Sequence, residues 1–524
     1  MERRHLGLLL WPALAAAAVY AATLGHGFVY DDVWKIQQVA PAAGSFDLSL
    51  LLRPRGLTHL VHQLDAALWG DRPFGFHLTN LLLHAVASAL AALAARSLGA
   101  GRRAALLAGL LFALHPVHVE AVAQFTNRKD LLAWILVALT LVLWRRGTWP
   151  AWSGALACLA LAVSAKEVAA AAVPVMLVAS DLLPLGDEPP TVRDRLRRAA
   201  LRATPFALAA AVAAALYTGP LARAFRPAEI ARVTEGRFDT WSEVAAAALA
   251  AFPEQLRLLV FPLQLSADWA PPAVDGPSVV LGAALLLAWV TGVVLLVRRR
   301  RPLAAFAAGW VVVTWLPCSN LVPLTPFFVA ERYLYVPSFG LCLLFGLAAS
   351  EALRRWYRPA LAVVALGLLL AAGRTWTRSA DWASERALWE SAVAAGQDTW
   401  RVRLDLGNAH AFEGRPSRAV EQFRLALRRH PPLDARRTLV RNLVLAGALG
   451  AADEGCGPLL AKLPEDFDCH LIGGEAALAR GEREAALRHY RRALAVRPGD
   501  GEVREKVRRL EGSANRRRAA TAAP

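Results

Sequence analysis

The sequence predicts an all-α fold: a polytopic membrane protein of about 11 transmembrane helices followed by a C-terminal α-solenoid. Three observations predict it. First, 56% of the 524 residues are apolar and only 19% are charged, and the mean hydropathy is +0.36. Second, the apolar residues gather into runs close to the ~20 residues that cross ~30 Å of hydrocarbon. Third, the chain carries a net charge of +17, and that charge is unevenly placed along it. Intrinsic disorder is excluded, because it requires low hydrophobicity. A nucleic-acid partner is not expected, since the basic charge has another explanation.

In chain order the apolar runs are 6–24, 77–95, 104–122, 131–144, 150–163, 168–183, 199–217, 277–297, 302–317, 337–350 and 359–373. An odd number of crossings places the two termini on opposite sides. The N-terminus and every second loop after it carry a net charge of +13; the alternate loops carry −3, and the tail from Arg374 carries +7. Basic residues collect on the cytoplasmic side of membrane proteins. The asymmetry therefore puts the N-terminus inside and the long tail outside, in a multi-pass protein of the inner (plasma) membrane. The first run lacks an A-x-A cleavage site and reads as an anchor. The stretch 244–262 is apolar enough to be a further span. It is read as an interfacial or re-entrant helix, because counting it as a crossing reverses every later loop against the arginine asymmetry.

The tail is organised by repetition. Leu406, Gly407, Ala419, Phe423, Ala426 and Pro431 fall on tetratricopeptide spacing, and Gly474, Ala486, Tyr490, Ala493 and Pro498 repeat it. Small residues at these points let paired helices approach, while the aromatic fills the space between them. The distance between the two matches leaves room for a degenerate middle repeat at 433–466. The expected domains are a membrane part at 1–373, a connecting helix at 374–399, about three repeats at 400–512, and a disordered tail at 513–524. Cys456 and Cys469 lie in the repeats, where their spacing alone favours free thiols.

Polar residues at membrane depth are costly and invite functional readings. Just beyond the first span stand Asp31 and Asp32, adjacent carboxylates suited to taking a proton from a hydroxyl, to capturing a cation, or to capping a helix. His77, Asn80 and His84 share one face of the second span, where helix–helix hydrogen bonding is the simplest reading. His115, His118 and Glu120 have the residue types of a metal site, but Pro116 breaks the helical face such a site would need. Arg128 and Lys129 sit at the outer interface, able to neutralise a phosphate or to snorkel. Lys166, Glu167, Arg332 and Tyr333 lie at other outer breaks. Together these groups offer acid, base and phosphate-binding cations.

At this point the motifs resemble a family. Phe28–Asp32, Phe76–His84, His115–Glu120, Ser164–Glu167, Arg332–Pro337 and the approach Asp381-Trp382 with Trp389, in that order and with repeats at the expected end, are similar to the transmembrane and tetratricopeptide-repeat-containing O-mannosyltransferases and their bacterial relatives. The resemblance implies a GT-C-like glycosyltransferase that moves a mannose-like sugar from a polyprenyl-phosphate donor to a hydroxyl on the extracytoplasmic side, inverting the anomeric centre. It implies that an acidic residue of the first outer loop is the base. That residue is Asp31 or Asp32, and spacing does not choose between them. The donor phosphate or its supporting residues then fall to His115, His118, Glu120, Arg128, Lys129, Lys166, Glu167, Arg332 and Tyr333. No cofactor is expected, because the lipid-linked sugar is a substrate, and a divalent metal is not favoured. The partners implied are the bilayer, the lipid-linked donor, a protein or glycan acceptor, and a protein held by the repeats. The short repeat array departs from the animal members and leaves their protein substrates open. Two rival readings remain: a non-catalytic repeat scaffold for envelope assembly, and a lipid or glycan transporter whose His and Asn side chains line a path.

Overall fold

The computed structural model describes residues 3–39, 47–166, 168–183, 226–323 and 325–521, with a few more between 191 and 200. Among them the regular structure is entirely helical. The chain forms two compact units, Met1–Ala395 and Gly396–Pro524.

Among the described residues of the first unit four helices are long and apolar enough to cross a membrane: Leu6–Gly25, Pro73–Ser97, Gly276–Arg298 and Tyr357–Asp381. A fifth candidate is a broken pair, Arg102–Leu114 and Pro116–Ala123, bent by 50°. The break has a local cause. Pro116 lacks an N–H and pushes the residue before it out of the helical region, and His115 takes φ −71° and ψ 122°. The remaining described runs also fall on helices, among them Arg128–Arg146, Trp149–Ala165, Val168–Leu182, Pro302–Trp315 and Ser338–Arg355. The run at 199–217 lies outside the described residues. The apolar helices make this a multi-pass membrane protein.

Close backbone approach binds several of these helices. A Cβ on Gly346 would stand 2.2 Å from the Ala104 carbonyl oxygen, and one on Gly282 would stand 1.9 Å from that of Leu249. Small residues at such crossings are the usual means of helix association where lipid removes the hydrophobic driving force. The stretch read as interfacial or re-entrant forms the helix Trp241–Val260, opened by a Thr240–Glu243 capping box of the kind worth ~1 kcal/mol. It is amphipathic. Val244, Ala247, Ala248 and Ala251 bury one face in a cluster with Val311, Trp315, Phe328 and Leu334, and Gln255 donates to the Phe328 carbonyl at 2.5 Å.

The second unit is a succession of helix pairs. Trp400–Phe412 lies with Pro416–Arg428, Leu433–Leu445 with Leu449–Lys462, and Phe467–Ala479 with Arg483–Val496; the final helix is Gly501–Thr521. Each pair turns on a glycine in the left-handed region: Gly414 at φ 73°, Gly447 at 77° and Gly481 at 82°. Such positions carry little strain only for glycine. Gly407 faces the Phe423 ring and Gly474 faces the Tyr490 ring, so that an added Cβ would stand 2.4 Å from either. The last helix runs into 513–524, the segment for which sequence suggests disorder. Cys456 and Cys469 are free and share the apolar cluster of the middle pairs.

Candidate active site

The two carboxylates that sequence leaves equivalent have different surroundings. The chain before them turns at Tyr30, a non-glycine residue at φ 57°. Helix Asp31–Val39 then begins, with both aspartates in its first turn, where the helix dipole favours negative charge. Asp31 is exposed. Asp32 is fully buried and accepts N–H bonds from Phe125 at 3.1 Å and Thr126 at 2.9 Å, one on each carboxylate oxygen. Burial pushes the Asp32 carboxyl up to about 8 against the pull of those two bonds. A proton on Asp32 is thus exchangeable near neutrality, while Asp31 is the carboxylate open to an incoming molecule.

The turn that receives Asp32 belongs to 115–130, the stretch that begins at the break in the bent pair. His115 accepts from Val117 N–H at 3.3 Å, and its Nε2 lies 2.9 Å from the Leu259 carbonyl. His118 contacts the Phe112 carbonyl at 2.8 Å and Ser338 Oγ at 2.7 Å. Both imidazoles therefore use both nitrogens on protein partners. Among the described residues no three His, Cys, Asp or Glu converge as a metal site. Glu120 does not join the histidines; it is buried and paired with Arg332, accepting from both the Arg332 guanidinium and its backbone N–H, the latter at 2.8 Å.

Arg128 is completely buried. It pairs with Asp65 at 2.5 Å and donates to Asn80 Oδ1 at 2.8 Å, to the Phe76 carbonyl at 3.1 Å and to the Val61 carbonyl at 3.4 Å. Burial weighs against both charges of the pair, and each is held by the other. The geometry makes Arg128 a clamp between helices Gly56–Trp69 and Pro73–Ser97, leaving it no face for a phosphate. The second-span stripe has a similar character. Asn80 also donates to the Val122 carbonyl at 3.0 Å, His84 Nδ1 meets the Tyr335 hydroxyl at 2.8 Å, and His77 Nε2 meets the Gly27 carbonyl at 3.2 Å.

Three cations remain close together. Lys129 is half-buried, with Asn127 Oδ1 at 3.0 Å and the Thr126 carbonyl at 3.4 Å. Burial lowers it to about 8; Asp130 opposes the shift, while the charges of Arg332, Arg55 and Lys166 add to it. Burial also works against a charge on Lys166, but its ion pair with Asp130 reverses the balance. Arg332 is held charged by Glu120 against the same penalty. Tyr333 links the latter two, with its ring 5.7 Å from Lys166 Nζ and 5.1 Å from the Arg332 guanidinium. Glu167 lies outside the described residues.

Sequence reasoning missed the partners more than the cations. Asp65, Asp130 and Arg378 have no local motif; Arg378 is buried against Glu331 at 3.3 Å and reaches Asp381 at 3.0 Å. For Asp65 the available signal was a carboxylate between Leu64 and Ala66–Leu68; Asp130 and Arg378 stand beside other polar and charged residues and carried no such signal.

Residues 57–217 match the family model of dolichyl-phosphate-mannose-protein mannosyltransferases. Protein O-mannosyl-transferase Tmtc1 of Drosophila melanogaster is 27% identical over 542 residues, covering 83% of this chain and 62% of that protein. Protein O-mannosyl-transferase TMTC1 of Homo sapiens is 27% identical, covering 82% and 56%. The chain thus spans about three-fifths of the length of these curated relatives. Among solved structures, the apo Archaeoglobus fulgidus oligosaccharyltransferase aligns with a TM-score of 0.42 and 14% identity, covering 72% of this chain and 56% of that one. The family match and the curated relatives bear out the resemblance that the ordered motifs carry.

Proposed function

We propose that this relative of the protein O-mannosyltransferases is an integral-membrane glycosyltransferase that moves a mannose-like sugar from a polyprenyl-phosphate donor to a protein or glycan hydroxyl on the extracytoplasmic face. The observation that carries the reading is an exposed carboxylate, Asp31, in a chain that also gathers the cations Lys129, Lys166 and Arg332 close to one another and whose residues 57–217 match a mannosyltransferase model. In this reading Asp31 takes the proton of the acceptor hydroxyl as its oxygen attacks the anomeric carbon. The bond from that carbon to the phosphate oxygen breaks, and the lipid phosphate leaves with the electron pair. Direct displacement inverts the anomeric centre. The cations stabilise the charge that gathers on the departing phosphate, and a carboxylate beside the sugar favours its oxocarbenium character. Asp32 supports the base by fixing the loop to the Phe125–Thr126 turn. The membrane part takes the eleven-span topology of the charge pattern, and the second unit acts as a short tetratricopeptide array that presents the acceptor.

The test is sugar transfer by purified wild type, Asp31→Asn and Asp32→Asn from a defined polyprenyl-phosphate mannose. Loss of general-base catalysis costs typically 10²–10⁴-fold, so Asp31→Asn falls by about that factor. Equal activity in Asp31→Asn and wild type removes the proposed base. Absence of transfer across a panel of donors and acceptors favours the scaffold.

A further inference from the structure

Where the membrane-length helix Tyr357–Asp381 ends, the chain enters a short helix, Glu385–Ala394, whose N-cap Ser384 accepts from Ala387 N–H. This segment lies against the turn that presents the two aspartates. Tyr30 N–H donates to Glu385 Oε1 at 2.7 Å, and the other carboxylate oxygen accepts from the Trp389 indole at 2.8 Å. Trp389 is almost wholly buried and meets the Tyr30 ring edge-on, with centroids 5.1 Å apart and planes at 83°. One strand of backbone is tied to the other as well, since Gly27 N–H donates to the Ala383 carbonyl at 3.3 Å.

The turn needs such a hold. A tyrosine in the left-handed region costs on the order of 1–2 kcal/mol, and Tyr30 adopts it at φ 57°. The consequence is that the next two residues open a helix with one carboxylate exposed and the other enclosed. Fixing the Tyr30 amide fixes where Asp31 begins.

We infer that Glu385 is a positioning residue for the reaction: its carboxylate, locked by Trp389, holds the Tyr30 turn so that Asp31 meets the acceptor hydroxyl. The inference rests on the transferase reading above. It assigns to Glu385 no contact with either substrate. Its loss therefore acts on the chemical step and leaves donor binding to the cations intact.

Full-length wild type, Glu385→Gln, Glu385→Ala, Asp31→Asn and the double variant Asp31→Asn/Glu385→Ala test this. The readouts are kcat and donor KM with polyprenyl-phosphate mannose, and hydrogen exchange of peptides spanning 27–36. A displacement of a reacting group by ~1 Å costs up to about 10²-fold. Glu385→Ala is expected to lower kcat by about 10–10²-fold with donor KM unchanged, and to speed exchange at 27–36 but not in helix Pro73–Ser97. Glu385→Gln, which keeps one acceptor oxygen, falls between. In the Asp31→Asn background Glu385→Ala has no further effect, because the group it positions is gone. An unchanged kcat, unchanged exchange at 27–36, or a full additional loss in the double variant overturns the inference. If wild type transfers no sugar, the transferase reading fails, and the exchange measurement still decides whether Glu385 holds the turn.

Discussion

Arg128 separates two roles that sequence alone leaves open, and Arg128→Met is the substitution that decides between them. The side chain is completely buried and makes four contacts, with Asp65, Asn80 and the carbonyls of Phe76 and Val61. Methionine fills much of the volume but leaves Asp65 as a buried carboxylate whose only other side-chain bond among the described residues is from Thr79 at 2.8 Å. Removing one member of a buried ion pair costs about 3–5 kcal/mol. At roughly 2 °C per kcal/mol for a large domain, the protein in detergent melts about 6–10 °C lower. The double variant Asp65→Leu/Arg128→Met, which removes both charges, recovers much of that loss, because buried pairs replaced by apolar groups are often neutral. Fluorescence-detected size exclusion after heating measures the shift. If Arg128→Met melts within ~2 °C of wild type yet loses donor binding, the clamp is wrong and Arg128 holds a phosphate.

Three further outcomes follow from the geometry. Asp32 has its folded-state pKa raised from 3.8 to about 8, so the folded state binds the extra proton, and its stabilising effect fades as pH rises towards 8. Melting temperature against pH from 5 to 8 should fall less steeply in Asp32→Asn than in wild type; parallel curves refute the assignment. Among the described residues Lys129 donates to Asn127 and Thr126 and to no carboxylate, and a charge-assisted bond to phosphate is worth about 1.5–3 kcal/mol. Lys129→Ala should therefore raise donor KM by about 10–10²-fold, and an unchanged KM removes Lys129 from the donor site. In the second unit, Gly474→Ala places a methyl 2.4 Å from the buried Tyr490 ring and costs about 1–3 kcal/mol of overpacking. Limited proteolysis of the full chain should cut the second unit faster, and unaltered cleavage shows that the ring moves aside freely.

The sequence and the structure agree most where the signal is local. The described apolar runs became helices because a helix satisfies its own backbone, and the Gly407–Phe423 and Gly474–Tyr490 spacings became contacts because each lies within one hairpin. Asp31 and Asp32 were visible as a pair, and their difference was not. That difference depends on the Phe125 and Thr126 amides, over ninety residues away in sequence. The same reason explains Arg128, which was legible as a cation at an interface but not as the partner of Asp65. His115, His118 and Glu120 look like ligands in one short string. Pro116 turns the chain so that each finds a separate partner, and Glu120 turns to Arg332. Helix Trp241–Val260 was hard for a different reason. Its apolar residues are enough for a span, yet their placement on one face suits packing against protein.

The contact between the Glu385 segment and the Tyr30 turn also affects how the molecule can be divided. The last apolar run stops at 373, which makes that position an inviting place to cut away the second unit. A chain ended there lacks Arg378, Ala383, Glu385 and Trp389, and with them the anchor of the Tyr30 turn. A chain ended at Ala395, where the first compact unit closes, keeps all four. Inactivity of the shorter protein would then be damage to the turn that presents Asp31, mistaken for a requirement for the second unit.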